Sequence, residues 1–337
     1  MAATGPRFIG FSAAYRDKTI ALWNRVFRAM PNFVPLDRDT WRARVEEFAV
    51  PGGESAVAGS GPARFDARLF RLALLEDEVV GFAHGGTWED EFLARLLPQG
   101  EPARLGTLLL IAVDPRVRRR GIGRALLHDL ETVLKETQSV EPPLCADGRG
   151  YNPFYGNFVA PLPPPWGTAE GIAVLGTSAD ARGFFQACGF REEVEAVTRQ
   201  RDLGDRPSFS GELPAGAVIE EIADYQPILG SDDGSPFPVP NESRTWLVRV
   251  GDVQLGAVVG FPLRRDGSRW GIHSFEVDPS RRGEGLGRML LSYVISALAA
   301  RGVETLEALA LPIEGAEADR LYEKLGFEKT DRWIVIA

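Results

Sequence analysis

Two short runs in this chain carry residues able to hold a phosphate. Val113-Asp114-Pro115 is followed by Arg118, Arg119, Gly121, Gly123 and Arg124, and Val277-Asp278-Pro279 by Arg282, Gly283, Gly285, Gly287 and Arg288. The offset is 164 residues throughout, without a gap, and nine of the fifteen positions in 113–127 and 277–291 are identical. Glycines two apart let the backbone tighten until several N–H groups converge on one point. The helical pattern that follows adds its positive dipole end there, and the arginines add charge-assisted hydrogen bonds. Each run is a pyrophosphate cradle. Neither has the third glycine of a Rossmann fingerprint, nor the Gly-Lys-Ser/Thr of a P-loop.

Other side chains capable of chemistry lie nearby. Glu276, next to Val277, places a carboxylate where it could accept a proton directly or through water; an exposed strand carboxylate is the plainer alternative. His273 on the same strand and His84 in an upstream hairpin titrate near neutrality, although a satisfied core histidine is the commoner case. Trp88-Glu89-Asp90-Glu91 could receive a cationic amine or simply start a solvated helix. Cys145 and Cys188 give neither metal-ligand spacing nor a disulfide framework.

The elements that must position these residues read as mixed α/β. In the first half, helical patterns cover Asp17–Met30 and Asp39–Ala49, with Asp17 and Asp39 as expected N-caps. A Gly/Pro/Ser loop spans 51–62. Ala67–Leu75 and Val79–Thr87 form a hairpin, Gly106–Val113 a strand buried on both faces, and Gly121–Glu136 a helix. The second half repeats the plan: a hairpin over Thr245–Val250 and Val253–Phe261, a strand over Trp270–Val277, and a helical stripe from Leu286 to Leu298. It ends with a strand over Thr305–Leu311, a helix over Glu317–Leu325 and a strand over Trp333–Ile336.

A second matched segment pairs 181–190 with 318–327, each a helix ended by Gly-Phe. The first copy holds 27 more residues between its glycine turn and this helix. They are placed at about 147–175, where Tyr151, Tyr155 and Trp166 point to an ordered lid or packing loop. The expected domains are 1–203, a linker at 204–216 and a shorter domain at 217–337.

Bulk composition bounds the reading. The chain has 337 residues, 44% hydrophobic and 25% charged, enough for two soluble globular domains. A net charge of −9 argues against nucleic acid as a partner. No apolar run near the motifs is long enough to span a membrane and the start lacks a signal-peptide pattern, so a cytoplasmic location is expected.

Val-x-Pro, Arg-x-x-Gly-x-Gly and the Tyr-x-x-x-Gly-Phe helix resemble the GCN5-related N-acetyltransferase (GNAT) superfamily, here in tandem over roughly 65–203 and 245–337. The resemblance implies two GNAT-like domains of α/β (α+β) class, each a central mixed, mostly antiparallel sheet flanked by helices. It implies acetyl-CoA as acyl donor, no metal, and direct attack of a primary amine on the thioester. The turn residues of both runs, with Val113 and Val277, would hold the CoA. The family's acid is the motif tyrosine, which is Tyr322 in the second copy; the first has Phe185, and Tyr151 or Tyr155 would have to replace it. The second copy lacks the early helices that wall the acceptor site in the family. The expectation is catalysis in the second half, with Tyr322 as acid and Glu276 as base and a small-molecule amine as acceptor. Catalysis in the first half and a non-catalytic acyl-CoA-binding or regulatory protein are the alternatives, and a homodimer is left open.

Overall fold

The structure, a computed structural model, describes residues 5–47, 65–87, 106–139, 144, 155, 165–168, 174–225, 242–310 and 315–336. The loop at 51–62, the Trp88–Glu91 cluster, Cys145, Tyr151 and most of the 147–175 insert lie outside them. The first half contributes β1 (Arg7–Gly10), α1 (Arg16–Phe27), α2 (Arg38–Trp41), β2 (Phe70–Leu75), β3 (Glu78–Thr87) and β4 (Gly106–Val113). It continues with α3 (Ile122–Gln138), β5 (Val174–Leu175), α4 (Ala179–Ala187) and β6 (Glu192–Asp202). The second half contributes β7 (Ala217–Ala223), β8 (Arg244–Val250), β9 (Val253–Pro262), β10 (Arg269–Val277), α5 (Leu286–Ala300), β11 (Thr305–Ala310), α6 (Gly315–Lys324) and β12 (Glu328–Ile336).

Local sequence explains most of these elements. Ile122, Leu126, Leu130 and Leu134 recur every four residues and form the buried stripe of α3. Leu286, Leu290, Val294 and Leu298 do the same for α5. The caps differ from expectation. Asp37, not Asp39, caps α2: its backbone is extended and Oδ1 accepts from the Thr40 N–H at 2.7 Å, whereas Asp39 is already helical. Asp17 falls in the first turn of α1, because a 3-10 turn capped by Ser12 precedes that helix. Where a longer helix to Ala49 was expected, α2 passes into one π-type turn over Arg42–Glu46.

The strands form two sheets, one antiparallel in the order β1-β2-β3-β4, the other in the order β5-β12-β6-β11-β10-β9-β8-β7. The second sheet interleaves the halves. The last strand of the chain, β12, lies between β5 and β6 of the first half, with Trp333 opposite Leu175 and Ala196. In return β6 lies between β11 and β12, with Thr305 opposite Asp202 and Ala310 opposite Val197. One parallel pair, β10 with β11, runs from Arg269↔Thr305 to Ile272↔Ala308. Beyond Ile272 the register shifts, and Ser274–Val277 pair only with β9.

Packing follows the exchange. Trp333 is 1% exposed and completes an aromatic core with Trp23, Trp41, Phe70 and Phe82 of the first half. Ile334 and Ile336 pack under α3 with Leu126 and Leu130. Leu306, Tyr322 and Phe327 pack with the α5 stripe in the second half. A buried polar link joins the halves at Asn32, which donates through Nδ2 to Gly167 O at 3.0 Å and to Glu307 Oε2 at 2.9 Å. Its Oδ1 accepts from Arg269, Gln200 donates to Glu307 at 2.9 Å, and Arg264 donates to Phe33 O at 2.8 Å. The loop after α1 thus rests on the second half. No helix among the described residues is long and apolar enough to cross a membrane.

Candidate active site

Both glycine turns adopt one conformation. Gly121 and Gly285 sit just before their helices in the left-handed region, at φ 79° and 84°. Two residues earlier the first copy holds Arg119 at φ 65° and the second holds Gly283 at φ 83°. A left-handed backbone suits glycine and costs an arginine strain, so the first turn keeps the shape at a small penalty. No atom lies within 4 Å of where a Cβ would stand on Gly121, Gly283 or Gly285, so each turn faces open space. Gly123 and Gly287 serve a different purpose. A Cβ there would stand 3.0 Å from the Phe184 ring and 3.1 Å from the Phe275 ring, so glycine lets the first helical turn pack closely.

The flanking side chains match as well. Arg118 Nε donates to Val113 O at 3.1 Å and Arg282 Nε to Val277 O at 3.4 Å, which folds each arginine over its turn. Asp114 accepts from the Arg116 N–H at 3.0 Å and Asp278 from the Ser280 N–H at 2.8 Å, capping the short 3-10 turn that follows. Asp114 is fully buried and also pairs with the Arg25 and Arg116 side chains. Its carboxyl is held down at about 2, chiefly by the Arg116 hydrogen bond. Asp278 has no α1-type partner and is lowered mainly by Ser280.

Each turn opens onto a gap in the sheet. In the first half a cavity of about 520 Å³ runs between β4 and the residues Val174, Leu175, Ile334 and Ile336. Val113, Arg118, Arg119, Gly121, Gly123 and Arg124 line its mouth, so all six first-copy cofactor residues expected from the sequence come together. In the second half the gap opens where β10 leaves β11, beside Ser274–Val277. Arg282, Gly283, Gly285 and Arg288 stand exposed at its end.

The strands beside the two gaps differ in chemistry. On β4 the register slips past Leu109, and on β10, 164 residues later, it slips past His273. Such a bulge turns two consecutive side chains to one face. On β4, Leu109, Leu110 and Ala112 face the aromatic core under α1, while Leu108, Ile111 and Val113 face α3. On β10, Ile272, Phe275 and Val277 pack with α5, which leaves His273, Ser274 and Glu276 for the other face. The face that is Leu, Leu and Ala in the first half is His, Ser and Glu in the second. Burial holds the His273 imidazole down at about 4, so it is neutral at pH 7.

The motif helices differ in one more atom. Phe185 of α4 lines the first cavity. The equivalent Tyr322 of α6 is 5% exposed, with its ring 5.1 Å from Phe327 and the Arg199 guanidinium 5.9 Å above it. Tyr155 does not supply the first cavity with a phenol. It is buried outside the cavity lining, and its hydroxyl meets His84 Nδ1 at 2.9 Å. His84 is thereby a partnered core histidine, pushed down to about 3 by burial.

The Acetyltransferase (GNAT) family matches residues 35–141 and again residues 217–327. The chain belongs to the GNAT acetyltransferase family. It is 26% identical to a mycothiol acetyltransferase of Clavibacter michiganensis, over 82% of this chain and 85% of the relative. A mycothiol acetyltransferase of Amycolatopsis mediterranei is 28% identical over 82% and 86%. Among solved structures, a tandem GNAT protein from the clavulanic acid biosynthesis pathway aligns with a TM-score of 0.62 at 16% identity, over 98% of this chain and 97% of the other. A GCN5-related N-acetyltransferase from Sphaerobacter thermophilus gives 0.58 at 16% identity, over 98% and 94%. These likenesses show the tandem GNAT fold. In this family the cosubstrate is acetyl-CoA, and both turns fit its diphosphate: a left-handed glycine facing open space just before a helix N-terminus, with Arg118, Arg119 and Arg124 at the first turn and Arg282 and Arg288 at the second.

Reading the residues singly left Ser274, Asp180 and Met30 unmarked. Ser274 emerges when the 164-residue offset is carried three residues upstream of Val113, but that His273 joins it on one face depends on the bulge. Asp180 and Met30 line the first cavity from elements far apart in sequence.

Proposed function

We propose that this protein transfers an acetyl group from acetyl-CoA to a primary amine, with the chemistry in the second half. The observation that carries the reading is the polar face of β10, His273, Ser274 and Glu276, where the first half has Leu109, Leu110 and Ala112. An incoming ammonium needs a group to take its proton, and a hydrocarbon wall offers none.

In this reading the thioester threads the gap beside Ser274–Val277, with its diphosphate on Arg282, Gly283, Gly285, Gly287 and Arg288. Glu276 takes the ammonium proton on one face of the sheet. The amine nitrogen bonds to the thioester carbon, and the carbon–sulfur bond breaks. Tyr322, reaching from the α6 side, gives its proton to the departing sulfur, and the second proton shed by the nitrogen as it becomes an amide restores the phenol. The first half's α1 loop, resting on Arg264, Arg269 and Glu307, supplies the support that the second half's own missing helices would give. The two mycothiol acetyltransferases put their own acceptor first among the amines to test.

The test is the stoichiometry of acetyl-CoA binding together with acetyl transfer to a panel of amines, on the wild type, Gly123→Val and Gly287→Val. Loss of transfer in Gly287→Val, with transfer kept in Gly123→Val and both variants melting as folded proteins, supports the reading. The reverse pattern moves catalysis to the first half. Binding without transfer to any amine leaves a non-catalytic acyl-CoA-binding protein.

A further inference from the structure

The first half's cleft is cationic at its mouth and hydrocarbon within. Among the described lining residues, the ionisable side chains are Arg118, Arg119 and Arg124 at the glycine turn, and Asp180 and Cys188 on or directly after α4. Asp180 stands 3.7 Å from Arg118, at that same mouth. Inward, the walls are Phe27, Met30, Leu109, Leu110 and Trp166, with the Phe27 and Trp166 rings stacked at 5.0 Å. The volume of about 520 Å³ is that of a small-molecule site rather than a packing void.

The chemistry of such a cleft excludes one occupant and favours another. An ammonium brought against Leu109 and Leu110 would lose its water and gain no partner. A methylene at the same place gains roughly fourfold in affinity for each carbon buried. We propose that the first half holds an acyl-CoA with a chain longer than acetyl and keeps it unreacted. Its diphosphate rests on the Arg118–Arg124 turn and its chain lies among Phe27, Met30, Leu109, Leu110 and Trp166. The inference needs a CoA-binding turn in the first half and rests on the proposed function in one respect, that acetyl transfer occurs in the second half.

Calorimetric titration of the full chain with CoA, acetyl-CoA, hexanoyl-CoA, decanoyl-CoA and free decanoate tests it. One site per chain is expected to tighten more than a hundredfold from acetyl-CoA to hexanoyl-CoA, at roughly fourfold per methylene, and decanoate alone to bind far more weakly. Met30→Trp, which fills the cleft, should abolish the chain-length dependence while CoA and acetyl-CoA still bind. Wild type saturated with decanoyl-CoA at the tight site should still transfer acetyl and release no decanoyl amide, a result that needs no variant. A flat chain-length series overturns the proposal, as does decanoate binding as tightly as its thioester, or decanoyl transfer to the amine. Decanoyl-CoA that competes with acetyl-CoA for turnover at the affinity of the tight site also overturns it, by placing the chain in the second half. Acetyl transfer itself is measured separately, so failure here leaves the second-half reading standing.

Discussion

The two halves keep the same glycine turn and differ in the strand that leads into it. Gly121 and Gly285 hold the same left-handed backbone, and Arg118 and Arg282 fold back on the same carbonyl. A phosphate cradle is built from backbone N–H groups, and only the residues that permit its shape are constrained. The strand face beside each gap is built from side chains, and Leu109, Leu110 and Ala112 of the first half correspond to His273, Ser274 and Glu276 of the second. A duplicated chain can keep one turn in both copies while the strand faces beside them diverge, because the two depend on different atoms.

The largest expected effect concerns the link between the halves. Trp333 belongs by sequence to the second copy and by packing to the first, so Trp333→Ala is expected to cost about 3–5 kcal/mol, read from denaturant midpoints. Hydrogen exchange should rise in α1 and β5 before α5. Protection lost first in α5 would mean that the two cores are not divided as described.

Next comes the phenol. Tyr322→Phe is expected to lower kcat about a hundredfold or more, with KM for acetyl-CoA nearly unchanged, while Phe185→Tyr in the first half gains no activity. Unchanged turnover in Tyr322→Phe would remove the functional asymmetry between α4 and α6.

Asp114 and Asp278 sharpen the comparison further. Folding lowers the Asp114 carboxyl from its ordinary 3.8 to about 2. Its stabilisation is therefore complete above about pH 4 and is lost as the pH falls through 2. Asp114→Asn should cost about 2 kcal/mol near neutrality, whereas Asp278→Asn, at a half-buried cap lowered mainly by Ser280, should leave the melting temperature nearly unchanged. Equal losses would show that the Arg116 and Arg25 side chains add nothing to the cap.

A further comparison is the acid limb of stability. His84 and His273 titrate at about 3 and 4 when folded, against 6.5 in the unfolded chain. The unfolded chain binds more protons below 6.5, so stability is full above that pH and declines as the pH falls toward 4. Melting temperatures measured from pH 7 to 4 should show this slope, and His84→Gln should flatten part of it.

The glycine turns were legible in the sequence, because the rule that places glycine at a left-handed φ is local and the 164-residue offset repeats it. The α3 and α5 stripes were legible for the same reason: four-residue spacing fixes one face of a helix whatever packs on it. The caps were less so. Asp37 and Asp39 are chemically equivalent candidates, and the backbone alone selects Asp37. His84 and Tyr155 were each readable as functional, and their mutual hydrogen bond makes them core.

The sequence by itself determined that the chain carries two strand–turn–helix units, that each has glycine placed for a left-handed turn, and that one motif helix has a phenol where the other has a phenyl ring. Only the tertiary structure decided that β12 completes the first half while β6 joins the second, since β6 and β12 each follow a Gly-Phe helix end and local sequence does not set which sheet position each takes. It also decided that His273, Ser274 and Glu276 share a face. Strand alternation alone would set His273 and Ser274 on opposite sides, and a bulge, which depends on the neighbouring strand, brings them together.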